Sequence, residues 1–236
     1  MYGWRAKIGL ITPMSENVEH AFHIYAPEGV SFASTKISYP ADSMEVLTDR
    51  VGQAAAMYQN YDVDLVVFGC TSGQHVLSFE QEQACSVEIE RVSGHPCLSA
   101  SVAVLDALHA LGAKKVAVMT PYPEAANEEE KRFLESGGYE VTAISNMDVS
   151  YVLDQGYTLE ACDEYLLYRN ALKLDLNGAD VLYLSGMGLT TLELVNDLET
   201  VLGVPVVTGQ QAALWGALRR SRVGAKPEKL GKLFSL

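Results

Sequence analysis

The stretch Asp64–Gly73, DLVVFGCTSG, decides the fold. Leu65 to Phe68 is a short apolar run that reads as a parallel strand buried on both faces. It leads into Gly69-Cys70-Thr71-Ser72-Gly73, a turn of small residues that carries one thiol. A second stretch, Asp180–Leu189 (DVLYLSGMGL), aligns with the first without a gap and sets Gly186 opposite Cys70. One strand-and-turn is thus present twice, with the thiol in a single copy.

Further landmarks recur in the same order. Lys7–Pro13 (KIGLITP) pairs with Lys115–Pro121 (KVAVMTP), and Gly94-His95-Pro96 pairs with Gly203-Val204-Pro205, each ahead of a helical pattern. Strands are expected at residues 7–12, 30–37, 64–68, 97–98, 115–120, 139–144, 180–184 and 204–207. Apolar residues at helical spacing predict helices over 18–25, 44–59, 76–88, 99–111, 127–137, 159–176, 189–202 and 210–219. Alternating strands and helices give an α/β fold with parallel sheets covered on both faces. The repeat makes it two half-domains related by a pseudo-twofold axis, each a four-stranded parallel sheet flanked by helices.

Ligands of parallel sheets bind beyond the carboxyl ends of the strands. Four turns, after Thr12, Phe68, Thr120 and Leu184, should therefore face one another across a cleft. Pro13, Cys70, Tyr122 and Gly186-Met187-Gly188 all sit on those turns. The last strand and helix are expected to cross back to the first half, and the Ser99 helix to the second. The halves are drawn as residues 1–98 plus 208–236, and residues 99–207.

Composition narrows the partners. The 236 residues, 48% hydrophobic and 20% charged, suit a folded globular chain. A formal charge of −13 disfavours nucleic acid and anionic membrane surfaces. Arg219–Arg222 and Lys226–Lys232 form the one basic cluster and read as a solvated tail. The opening Met1-Tyr-Gly-Trp-Arg lacks the apolar core of a signal peptide, and no apolar run is long enough to span a bilayer. The four cysteines, Cys70, Cys85, Cys97 and Cys162, lack C-x-x-C spacing and read as free thiols. A cytoplasmic chain is expected, and a homo-oligomer is left open.

Each candidate site residue reads in two ways. Cys70 is either one more buried structural cysteine or a thiol tuned by its turn. A following helix N-terminus and free N–H groups would lower its pKa, and Thr71 and Ser72 would add donors for a carboxylate or enolate oxygen. Gly186-Met187-Gly188 is either a tight turn or a source of backbone N–H groups on the opposite side of a ligand. Tyr122 is a surface aromatic or a phenolic donor to a carboxylate. His75 reads as pointing away from Cys70, with a Cys–His pair as the alternative. His95-Pro96-Cys97 has no partner at metal-ligand spacing, so no metal is expected. Dinucleotide, P-loop and serine-hydrolase motifs are missing from the sequence.

The duplicated halves with matched turns resemble the aspartate/glutamate racemase superfamily. The opening RAKIGLITP, APEGVSF, GCTSG and SASVAVLDALHALGAKKVAVMTPY resemble its maleate isomerase and arylmalonate decarboxylase branch, over nearly the whole chain. An ectoine-utilisation protein of that branch is similar as well. The resemblance implies chemistry without cofactor or metal at the carbon beside a carboxylate, using thiols on the two substrate faces. In maleate isomerases the first-half thiol adds to the double bond; arylmalonate decarboxylase keeps only the second-half thiol.

Carried over, Cys70 matches the first thiol. Thr71, Ser72 and Tyr122 match carboxylate donors, Gly188 a backbone donor, and Pro13 the proline of the first turn. Gly186 stands where the second thiol would be, which argues against two-base racemisation. The isomerases' P-S-S-N turn reads Pro13-Met14-Ser15-Glu16-Asn17, with its asparagine displaced. Decarboxylation of a substituted malonate with Cys70 as proton donor is the first expectation. Maleate-type cis–trans isomerisation with Cys70 as nucleophile is the second, and a catalytically silent binder of a small carboxylate is the third.

Overall fold

The structure, a computed structural model, describes residues 2–13, 16–38, 43–70, 79–156 and 159–236. Among the described residues, eight strands form two sheets of four. The first holds β1 (Ala6–Pro13), β2 (Val30–Ile37), β3 (Leu65–Phe68) and β4 (Cys97–Ser99), in the order β2-β1-β3-β4. The second holds β5 (Lys115–Thr120), β6 (Glu140–Asn146), β7 (Val181–Leu184) and β8 (Val206–Thr208), in the order β6-β5-β7-β8. All pairings are parallel.

The repeat extends to individual hydrogen bonds. Asp64 N–H donates to Lys7 O and Asp180 N–H to Lys115 O, both at 2.8 Å. Each aspartate also accepts at 2.9 Å from the backbone of its lysine, Lys7 or Lys115. Glu90 Oε1 accepts from Cys97 N, and Glu199 Oε1 from Val206 N, again both at 2.9 Å. A side-chain carboxylate thus tethers the short edge strand of each sheet, where backbone pairing is available on one side only.

Nine helices are seen among the described residues: α1 (Asn17–Tyr25), α2 (Met44–Ala56), α3 (Phe79–Ser93), α4 (Ala100–Ala110), α5 (Glu124–Ser136), α6 (Ser150–Leu153), α7 (Glu164–Lys173), α8 (Val195–Leu202) and α9 (Gly209–Arg220). Helices α4 and α9 follow the two edge strands and begin at matching caps. Ser99 Oγ accepts from Val102 N at 3.3 Å, and Thr208 forms a capping box with Gln211. The two helices pack on each other, α9 also meeting β3 and β4 and α4 meeting β8. Close approach needs small residues: a Cβ on Gly216 would lie 3.0 Å from Leu98 and 3.5 Å from Ala103. One core cluster consequently runs through both sheets, from Ile8, Leu10 and Val67 to Val118, Tyr183 and Val207.

Four expectations are corrected. The last strand does not cross back, because β8 pairs with β7 inside the second sheet. Residues 159–176 are not one helix: Asp163 caps a new one by accepting from Tyr165 N at 2.7 Å. Apolar spacing continues through that break and hides it, whereas an aspartate ahead of Glu164 is the better signal. The helix expected from residue 189 starts at Val195, after a 3-10 turn at Leu192–Leu194. The C-terminal segment is not a solvated tail. Leu230, Leu233 and Phe234 are buried, Gln211 Nε2 donates to Leu230 O at 2.8 Å, and Glu199 accepts from Lys232 N. The apolar residues between its lysines anchor it.

Candidate active site

The strand order reverses direction between β1 and β3, and again between β5 and β7, so the switch points lie at the Thr12, Gly69, Thr120 and Ser185 turns. Gly69 N–H donates to Ile11 O at 2.8 Å, and Ser185 N–H donates to Met119 O at 2.9 Å. The two turns meet. A Cβ on Gly69 would lie 3.0 Å from the Thr12 methyl and 3.5 Å from the Met187 methyl of the other half. A side chain at position 69 would crowd the Thr12 methyl, while the Met187 methyl lies at ordinary contact distance.

Cys70 is 1% exposed and packs in a cluster with Ile11, Phe68, Cys85 and Ile89. Burial pushes its thiol pKa well up, and nearby Glu82 and Cys85 add to the rise. That overturns the expectation of a lowered pKa: the desolvation cost of a thiolate dominates at this position. Thr71, Ser72 and His75 lie outside the described residues.

The opposite turn is differently made. Gly186 has φ +117°, and a Cβ there would approach Leu189 to 3.2 Å and Pro121 to 3.4 Å. Met187 O accepts from the buried Gln210 Nε2 at 2.7 Å, and Gly188 O accepts from Asn17 Nδ2 at 2.8 Å. Asn17 also donates to Thr190 Oγ1 at 3.2 Å. The displaced asparagine is therefore a clamp between the halves. Tyr122 is buried, its N–H donating to Thr120 Oγ1 at 3.2 Å, while the Thr120 hydroxyl donates to Asn127 Oδ1. Pro13 closes β1 opposite Ile37, beside Thr12, whose hydroxyl accepts from Lys36 Nζ at 3.1 Å. Lys36 is also paired with Glu19 at 3.0 Å.

Two buried carboxyls flank these turns, one on each half. Glu82, in the first turn of α3, is 1% exposed and accepts from Ser101 N at 3.0 Å. Burial raises its pKa, an effect the Ser101 and Ser99 contacts offset in part. Glu130 of α5 lies beside Ser185 and Tyr183, and burial pushes it up to about 7. Composition hid both, since each sits in a charged helix. Their spacing gives them away: Glu82, Cys85 and Ile89 share one helical face, as do Ala126, Glu130 and Leu134. A cavity of about 280 Å³ lined by Trp215, Arg219, Arg222 and Lys226 opens at the other end of α9 from Gln210, away from these turns.

The features define an α/β protein of duplicated design in which turns of two parallel sheets meet beside the buried thiol of Cys70. The family model described as arylmalonate decarboxylase matches residues 8–234, and the chain belongs to that family. It is 32% identical over 157 residues to the arylmalonate decarboxylase of Bordetella bronchiseptica, covering 64% of this chain and 62% of that protein. It is 24% identical over 173 residues to a maleate isomerase of Geobacillus stearothermophilus, covering 72% and 66%. Each match thus spans just under two thirds of the relative's length. A structure of unliganded arylmalonate decarboxylase, 26% identical, superimposes with a TM-score of 0.84 over 98% of this chain and 99% of that one. Among the described residues, no helix is long and apolar enough to cross a membrane.

Proposed function

We propose that this protein is a cofactor-independent enzyme that decarboxylates a substituted malonate, with Cys70 as the proton donor. The observation that carries the reading is the state of the one thiol at the meeting of the turns. It is buried at the end of β3, where desolvation favours the protonated form, and the matching position of the second turn holds a glycine rather than a second thiol. A thiol that resists ionisation is a poor nucleophile at neutral pH but a competent acid toward a carbanion-like enediolate.

The chemistry balances simply. The bond from the α-carbon to one carboxylate breaks, carbon dioxide leaves, and the electron pair remains as an enediolate. The Cys70 Sγ–H bond then delivers its proton to that carbon, and the thiolate recovers a proton from solvent. Loss of carbon dioxide calls for no base; it calls for donors at the enediolate oxygens, each able to contribute about 3 kcal/mol to the barrier. Thr71, Ser72 and the Tyr122 phenol are assigned to the substrate carboxylates. Because Met187 O is held by Gln210, the N–H of Gly188 in the same planar peptide points the opposite way, which supports its assignment as a backbone donor. Pro13, Gly186 and Met187 shape the walls.

The test is proton NMR and mass spectrometry with maleate, methylmalonate and phenylmalonate in deuterated water. Release of carbon dioxide with one deuterium incorporated supports the reading. No turnover of either malonate counts against it and favours a silent binder.

A second reading, cis–trans isomerisation of a maleate-like diacid, is favoured by one observation: the thiol stands in the first half, and the chain is similar to a maleate isomerase. Cys70 as thiolate would add to the double bond, the single bond would rotate, and the adduct would collapse. A covalent mass adduct at Cys70 with maleate, together with fumarate, would select this reading.

A further inference from the structure

The basic cluster near the end of the sequence has no part in the decarboxylation just described. In the fold, Arg219, Arg222 and Lys226 from that cluster become the wall of the cavity of about 280 Å³ at the C-terminal end of α9. Its floor is apolar, made by the buried side chains of Trp215, Val223 and Phe234. No aspartate or glutamate lines it. In a chain of formal charge −13, that is a local reversal of sign.

The two arginines are placed for an incoming anion. The Arg219 guanidinium lies over the Trp215 ring, 4.6 Å from its centroid, a stacking that leaves its N–H edge open. Arg220 points elsewhere and pairs with Asp106 at 3.1 Å. The side chains of Arg219 and Arg222 have no hydrogen-bonded or ionic partner among the described residues. Lys226 Nζ donates to Ser235 O at 2.6 Å and so ties the C-terminal segment to the cavity wall.

Helix C-termini attract cations through the helix dipole. That accounts for charge near residue 219, but not for the position of Arg222. Helix α9 closes with Val223 N–H donating to Leu218 O at 2.8 Å and Arg222 N–H donating to Arg219 O at 3.0 Å. Such a closure sets residue 222 in the left-handed region, at φ +57°, where glycine fits at least cost. Arginine stands there against the local backbone preference. A strained residue beside a cationic cavity points to a task for its side chain.

We propose that this cavity is a second ligand site, separate from the turns, for a small acid with a flat apolar body, an aromatic monocarboxylate being the simplest. A cavity of about 150 Å³ accommodates benzene, so one of about 280 Å³ holds a ring with a short carboxylate arm. The ring packs against Trp215 and Phe234, and the carboxylate meets Arg222 and the open edge of Arg219. Gln210, which holds the Met187 turn, stands at the other end of α9, so each site can be altered without the other.

The probe is phenylacetate, followed by fluorescence in a Trp4→Phe protein, whose remaining tryptophan is Trp215. The expected result is saturable quenching by phenylacetate and none by benzyl alcohol, its neutral counterpart. Arg222→Gly should weaken phenylacetate binding by roughly tenfold, the loss of one charge-assisted contact. It should also keep or raise the melting temperature, since glycine suits the left-handed position. Arg219→Gln should weaken binding as well, and Cys70→Ala should leave it unchanged. Absence of saturable quenching, an equal response to benzyl alcohol, or an Arg222→Gly protein that binds phenylacetate as tightly as its parent would each overturn the proposal.

Discussion

The turn at Gly69-Cys70 and the turn at Ser185-Gly186 start from the same backbone. Each follows a four-residue strand, each is anchored to its neighbouring strand by one N–H, and each lies at a switch point of its sheet. They then differ residue by residue, Gly69-Cys70-Thr71-Ser72 against Ser185-Gly186-Met187-Gly188, and the second of these positions decides the chemistry. In the first half it holds a buried thiol; in the second it holds a glycine at φ +117°, packed against Leu189 and Pro121. Duplication has preserved the hydrogen-bond frame and let the chemistry become one-sided. The lesson is that the scaffold and the proton donor are separable, so a chain can keep one face reactive and turn the other into a wall.

The comparison breaks most visibly at the thiol. Cys70→Ala should lower kcat by roughly 10²- to 10⁴-fold, the range expected for losing a general acid, with folding intact. Retention of full activity would move the chemistry to another group.

The two buried carboxyls sharpen the contrast through pH. Glu130 has its pKa raised from 4.5 to about 7. Between those values the folded protein holds a proton that the unfolded chain has released, so stability falls as pH rises through that window. Above about pH 7 the ionised form carries a constant penalty, on the order of 3 kcal/mol. Glu130→Gln should therefore raise the urea midpoint at pH 8 and leave it nearly unchanged at pH 4. An equal pH slope in both proteins would contradict that origin.

Placing a thiol on the second turn is the next smaller effect. Gly186→Cys forces a side chain onto a positive φ and against Leu189, which should cost about 1–2 kcal/mol and lower the melting temperature. An undiminished melting temperature would mean the turn can relax to accept the thiol. Smallest is the clamp between the halves. Asn17→Ala removes the donor to Gly188 O, a loss of about 1 kcal/mol that should appear as a few-fold rise in KM with kcat kept. A change in kcat alone would place Asn17 in the chemical step instead.

Much of the frame was legible because it is written locally. The apolar run Leu65–Phe68, its partner at Val181–Leu184 and the two K-x-x-x-x-T-P openings announce strands and their ends, and the repeat announces two sheets. Legibility ends where tertiary packing competes with local pattern. Burial, invisible in GCTSG, raises the Cys70 pKa where the sequence suggested a lowered one. Glu82 and Glu130 look like ordinary solvent-facing charges until their helical faces are counted against Cys85, Ile89 and Leu134. The lysine-rich end reads as solvated although Leu230, Leu233 and Phe234 dock it.

The handedness of the product tests the central claim most directly. A prochiral malonate with two different substituents is decarboxylated in deuterated water, and the product is analysed for isotope and chirality. With Cys70 as sole donor, the acid should carry one deuterium and a single hand. That hand should be opposite to the one delivered, for the same bound pose, from a thiol standing where Gly186 stands. A racemic product, or the hand expected from the Gly186 side, would contradict the account.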